Sequence, residues 1–133
     1  ERDRSFRPQD RTNDKPGIGG PFIFKKNDYY YLFVSFDRCC RGVNSDYKVL
    51  VGRSKNVTGP YSDKNGVDMR YGGGTQVVKG NADWPGVGHN SAYTIDGKDV
   101  LVFHGYDAKD KGRSKLLMRE IIWDTDVWPT VFL

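Results

Sequence analysis

Cysteine, methionine and histidine are scarce, with two of each in 133 residues. Two cysteines cannot staple a disulfide scaffold, and adjacent Cys39-Cys40 lacks the spaced pairs that hold structural zinc. Nor do they reveal the redox compartment. No run approaches the roughly 18 apolar residues of a membrane-spanning helix, and hydrophobic residues make up only 37% of the chain. A sustained helical period is missing too, which excludes a helical bundle. Neither sign of charge dominates: 21 Lys and Arg stand against 17 Asp and Glu, a formal +4. The densest basic stretch, Arg2, Arg4, Arg7 and Arg11, is interleaved with Glu1, Asp3, Asp10 and Asp14. Such dispersion describes a solvated surface, so neither nucleic acid nor a membrane is expected as a partner. No initiator methionine or leader-like segment precedes Glu1, and the N-terminus is expected to be a processed or trimmed end.

Glycine and aromatic residues are plentiful: 16 Gly, 8 Tyr, 7 Phe and 3 Trp. An aromatic content of 14% argues against disorder. The length suits one domain, and at about 150 residues folding buries roughly 70% of the unfolded surface.

Residues 1–16 read as an irregular, charged lead-in. Strand signals then follow at 21–26, 29–36, 47–54 and 75–79, the first two split by Asn27-Asp28. After a break, 90–95, 99–105, 114–123 and 127–133 repeat the plan, with Asp96-Gly97 as a hairpin signal. The hairpins at 25–30 and 95–100 match at an offset of about 70 residues. Two four-stranded antiparallel units, 17–80 and 86–133, are how β-propeller blades are written; a sandwich or barrel fits the spacing equally well.

Specific motifs narrow the choice. Gly17-Ile18-Gly19-Gly20-Pro21-Phe22 precedes Tyr29–Ser45, which carries Phe36-Asp37-Arg38-Cys39-Cys40-Arg41-Gly42. Val51-Gly52-Arg53-Ser54, Gly72-Gly73-Gly74-Thr75, Gly88-His89-Asn90-Ser91, His104-Gly105-Tyr106-Asp107 and Trp123-Asp124 with Trp128-Pro129 follow in order. This succession resembles glycoside hydrolase family 43, and within it the endo-1,5-α-L-arabinanases. The resemblance implies an all-β fold, part of a five-bladed β-propeller, with 17–133 as one partial propeller domain. It also implies inverting hydrolysis of α-1,5-arabinan by two Asp and one Glu from three blades, and a secreted or periplasmic location. An inverting site holds its acid and base about 6.5–9.5 Å apart, with room for water between them.

By this resemblance the chain corresponds to the C-terminal portion, so the blades bearing both catalytic Asp residues are absent. The general acid of an Ile-Glu-Gly/Ala-Pro-Phe stretch falls at Gly19, which has no proton to give. Losing a general acid alone costs about 10²- to 10⁴-fold in rate. No catalytic residue is therefore assigned, and the chain is expected to be inactive by itself.

For sugar contact the expected residues are Phe36, Cys39 and Asn44, in a loop the resemblance places at the cleft; a core Phe and a turn Asn are the alternative. The two cysteines are expected as thiols, since a vicinal disulfide is strained. The resemblance points His89 into the channel beside calcium, although imidazole is an unusual ligand for that ion. His104 is expected to be structural, and Trp84, Trp123 and Trp128 could pack or bind sugar. Asp107, Asp110 and Asp124 lack the spacing of a calcium loop, and Gly72-Gly73-Gly74 precedes a strand rather than a phosphate-binding helix. Expected partners are an arabinose-containing polysaccharide or oligosaccharide and either the missing blades or a second copy. A non-catalytic carbohydrate-binding or oligomerising unit is the alternative function.

Overall fold

The computed structural model describes residues 17–133; the lead-in expected at 1–16 lies outside the described residues. Strand β1 (Gly17–Lys26) turns at Asn27-Asp28 into β2 (Tyr29–Asp37), followed by β3 (Lys48–Ser54) and β4 (Thr75–Lys79). The four pair antiparallel in sequence order. Asn27 has φ 54°, a left-handed conformation that Asn tolerates better than most residues. Strands β5 (Val87–Ile95), β6 (Lys98–Asp107) and β7 (Arg113–Glu120) form a second antiparallel sheet, with its first hairpin at Asp96-Gly97. Among the described residues there is no α-helix, only 3₁₀ turns, and no sheet closes on itself.

The second unit differs from the expected four-stranded blade. It has three strands, followed by a separate ribbon of β8 (Ile122–Trp123) and β9 (Pro129–Thr130). The expected strand 114–123 breaks at Ile121, whose N–H donates to the Asp99 carbonyl at 2.8 Å. The expected strand 127–133 pairs only at Pro129 and Thr130, because proline has no N–H to give a ladder. Beyond it, the Val131 N–H donates to the Val77 carbonyl of β4 at 3.1 Å.

Both sheets begin with the same device. Strand β1 bulges between Gly19 and Phe22, and β5 between Gly88 and Ser91. Gly20 and His89 sit at matching points in these bulges, with φ of 57° and 55°. The repeat also defines two faces. On the first sheet, Tyr31, Phe33, Val49 and Val51 project from what we call the front; on the second, Leu101, Phe103 and Leu117 project from the back. Front meets back in one buried cluster. These side chains alternate along their strands with residues of the opposite face, as a pleated strand requires.

The C-terminal ribbon is tied to the first sheet. The Arg53 guanidinium lies 4.0 Å from the Tyr29 ring and 4.2 Å from that of Trp128. It donates to the carbonyls of Asp126 (2.6 Å) and Val127 (3.1 Å). Asp99, buried at the end of the second hairpin, accepts from Lys26 Nζ (2.6 Å), Thr94 Oγ1 (2.7 Å) and Trp123 Nε1 (2.9 Å). Burial works to raise its pKa, but these donors together hold the carboxyl below the ordinary Asp value.

Candidate functional site

Where the two bulges meet, small residues let the sheets approach. A Cβ on Gly20 would sit 3.3 Å from His89 Cα, and one on Gly88 would overlap the Tyr47 ring. Fully buried Ser35 spans the seam: its Oγ accepts from the His89 N–H at 2.7 Å and donates to Asn90 Oδ1 at 3.3 Å. The left-handed turn at His89 is thus fixed by a residue of the other sheet. Asn90 Nδ2 is buried without a partner among the described residues.

Next to this seam the His89 and His104 rings lie 6.3 Å apart, and Tyr47 stacks on His104 at 6.0 Å. Burial first, and the His89 imidazole second, hold His104 below the ordinary histidine range. His104 Nε2 lies 3.1 Å from Tyr106 Oη, which accepts from the Cys40 N–H at 2.7 Å. The second sheet therefore holds a loop that belongs to the first. Backbone contact adds to this, with a Cβ on Gly42 falling 3.6 Å from Gly112.

Cys39 and Cys40 are joined as a vicinal disulfide, which corrects the expectation of two thiols. Cys40 itself lies in a left-handed turn, with φ 67°. Asn44 lies exposed in the 3₁₀ turn Gly42–Asn44. Phe36 is half-buried against the cluster of Val34, Tyr61 and Met69 on the back of the first sheet. Asp37 pairs with Lys48 at 2.8 Å. Trp84, Trp123 and Trp128 all pack against the main core.

At Gly19 there is space. A Cβ there would have only Tyr47 Oη within 4 Å, at 3.9 Å. Around His89 no carboxylate cluster forms: among the described residues no three His, Cys, Asp or Glu side chains gather. Calcium takes about 6–8 oxygen ligands, so these residues do not make a calcium site by themselves.

Ser35, Tyr47 and Tyr106 were not singled out as site residues by sequence. Tyr106 and Ser35 lie within the motif stretches and Tyr47 opens an expected strand, but only the seam between sheets gives them a role.

Comparison with known proteins agrees with this geometry. The extracellular exo-α-(1→5)-L-arabinofuranosidase ArbA of Cellvibrio japonicus is 52% identical over 129 residues, 97% of this chain and 37% of that protein. The extracellular endo-α-(1→5)-L-arabinanase 1 of Bacillus subtilis is 47% identical over 120 residues, 90% of this chain and 36% of its own length. The solved structure of Cellvibrio cellulosa α-L-arabinanase complexed with arabinohexaose superimposes with a TM-score of 0.84 at 56% identity, covering 86% of this chain and 36% of that one. The chain thus spans little more than a third of the length of the relatives it matches. The profile described as glycosyl hydrolases family 43 matches residues 4–129, and with the bulged sheets and motifs in register, the chain belongs to that family.

Proposed function

We propose that this chain is part of an arabinan-acting inverting hydrolase, contributes a wall of its sugar cleft, and does not cleave arabinan alone. The observation that carries this is the open position at Gly19, where the general acid is expected and no carboxylate stands. The whole enzyme would be a five-bladed propeller, with both catalytic Asp residues on sheets outside residues 1–133. The test is release of reducing sugar from linear arabinan. No release above a buffer blank is expected; release that scales with protein would overturn the reading. Adding the missing sheets together with Gly19→Glu should restore hydrolysis, since a side chain at Gly19 meets no close neighbour.

Sugar contact falls to the Cys39–Cys40 disulfide, exposed Asn44 and the open part of the Phe36 ring. Apolar surface covers a sugar face, and an amide meets its hydroxyls. A purely sugar-binding role is the second reading, favoured by a cleft loop that is held in place without any catalytic group. Titration with arabino-oligosaccharides separates the two: binding without cleavage after the missing sheets are added would favour it. Calcium near His89 belongs to the same proposal, with its oxygen ligands coming largely from water and from outside the described residues. A secreted location follows from the extracellular relatives and accords with the disulfide.

A further inference from the structure

The Tyr47 ring is held on three sides. Its edge fills the space where a Cβ on Gly88 would stand. Its face stacks on the His104 imidazole, with 6.0 Å between centroids and 14° between planes. Its backbone carbonyl accepts from the Val87 N–H at 2.9 Å, and only 8% of the residue is exposed. A ring so confined carries its hydroxyl to one place, and that place is beside Gly19. Tyr47 Oη lies 3.9 Å from the point where a Cβ on Gly19 would stand. Apart from Gly19 and its two chain neighbours, no other atom of the described residues comes within 4 Å of that point. Packing accounts for the ring, since a phenylalanine would fill the same notch and stack on the same imidazole. What packing does not require is the oxygen at its tip. Ser35, which opposes Gly19 on β2, commits its own hydroxyl to the His89 N–H and Asn90 Oδ1.

We propose that Tyr47 is the positioning residue for the general acid that belongs at Gly19. This rests on the reading of Gly19 as that acid's place. A glutamate carboxyl there, two methylenes beyond the Cα, comes within hydrogen-bond reach of Tyr47 Oη. In the hydrolytic step the carboxyl gives its proton to the glycosidic oxygen as the bond from that oxygen to the anomeric carbon breaks. Water, deprotonated by the base, takes the carbon. One carboxyl oxygen must therefore face the sugar. The Tyr47 hydroxyl donates to the other, which fixes the group's orientation beforehand and meets the negative charge that remains afterwards. A hydrogen bond to a carboxylate is stronger than one to the neutral acid, so the hydroxyl places the acid rather than raising its pKa. The disulfide loop shares this anchor, because it runs directly into Tyr47. Its base is closed by the Arg38 N–H on Asp46 Oδ1 at 2.7 Å and the Asp46 N–H on the Arg38 carbonyl at 3.1 Å. A ring held on a strand end and locked by its neighbours is the kind of support that a precisely placed acid needs.

NMR on the full chain tests this without any hydrolysis. The chain has only two glutamates, Glu1 and Glu120. With glutamate labelled at its carboxyl carbon, the group introduced by Gly19→Glu is the one additional signal, and its titration can be followed. Adding Tyr47→Phe should raise its pKa, lowering its acid dissociation constant about three- to tenfold. His89 and every other charge are common to both proteins, so the difference belongs to the hydroxyl. An unchanged His104 titration shows that the ring stack survives. In Gly19→Glu alone, the Tyr47 Cζ signal should shift in step with the carboxyl, and this measurement decides by itself if Tyr47→Phe disturbs the stack. Equal dissociation constants with the stack intact, or a Tyr47 signal indifferent to the carboxyl, would overturn the proposal. With the missing sheets added, Tyr47→Phe should lower the kcat of Gly19→Glu about tenfold and leave KM unchanged; an equal kcat would also overturn it. No hydrolysis by either variant, with the NMR shifts intact, would sink the reading of Gly19 and leave the contact standing.

Discussion

Gly19 and Gly88 stand at the same point of the two repeated sheets, just before each bulge, yet their surroundings are opposite. A side chain at Gly19 would meet only a distant hydroxyl, whereas one at Gly88 would overlap the Tyr47 ring. One glycine leaves a vacancy where a functional group can stand; the other lets two sheets close. The next residues diverge in the complementary sense. Gly20 keeps its left-handed turn bare, and His89 uses the same turn to display an imidazole. One backbone device thus serves packing in one repeat and presentation in the other, and the side chain decides which.

The sharpest way to break this comparison is to add one methyl group at each glycine. Gly88→Ala should destabilise the fold by about 3 kcal/mol, at the upper end for overpacking, while Gly19→Ala should stay within about 0.5 kcal/mol. Urea unfolding of the pair measures the difference; equal losses would remove the distinction. Next in size is Arg53→Ala, which tests how the second unit does without a fourth strand by leaning on the first sheet. Losing a guanidinium held between two rings, with its carbonyl hydrogen bonds, should cost about 2 kcal/mol. Arg53→Lys should recover less than half of it, because ammonium lacks the planar fork.

A smaller effect of opposite sign is expected at the bulge. His89→Gly relieves a side chain held at positive φ and should stabilise the protein by up to about 1 kcal/mol. With that imidazole gone, the His104 pKa should also move back toward its ordinary value, which proton NMR titration would follow.

The smallest effect is the pH dependence. His104 has a lowered pKa in the fold, so the unfolded chain takes up its proton first. The stability it contributes is complete above about 6.5, the ordinary histidine value, and declines as pH falls below that. Asp99 is also lowered, so its contribution is complete above about 3.9 and is lost as pH falls further. Thermal melts should show two acid steps, the upper abolished by His104→Gln and the lower reduced but not removed by Asp99→Asn, because Asp63, Asp68 and Asp124 are also held below the ordinary Asp value.

Much of the first sheet was legible because its signal is local. Tyr29–Phe36 is an aromatic and β-branched run, Asn27-Asp28 and Asp96-Gly97 announce their turns, and the hairpins advertise the repeat. The last strands were not legible, because Ile121 and Val131 send their N–H groups to distant carbonyls at Asp99 and Val77. No residue pattern nearby records that choice. In the site, the motifs brought His89 and the cysteines forward. The role of Ser35 stayed hidden although it lies in the Tyr29–Ser45 stretch, since a strand serine acquires meaning only when a bulge from another sheet arrives above it. The disulfide joins adjacent cysteines at a left-handed turn that no residue pattern announces.

The clasp on the C-terminal ribbon bears on the order in which the chain can mature. Arg53 and Tyr31 find the Val127 carbonyl, and Val77 finds Val131, only after a further 54 to 96 residues have been made. A nascent chain leaving the ribosome therefore carries its first sheet with unclaimed donors and an uncovered β4 edge until residues 127–131 emerge. Contacts so far apart in sequence form late, and an open edge in the interval invites pairing with neighbouring chains. Loss of residues 127–133 would make that transient state permanent, converting a late folding step into a standing liability for aggregation.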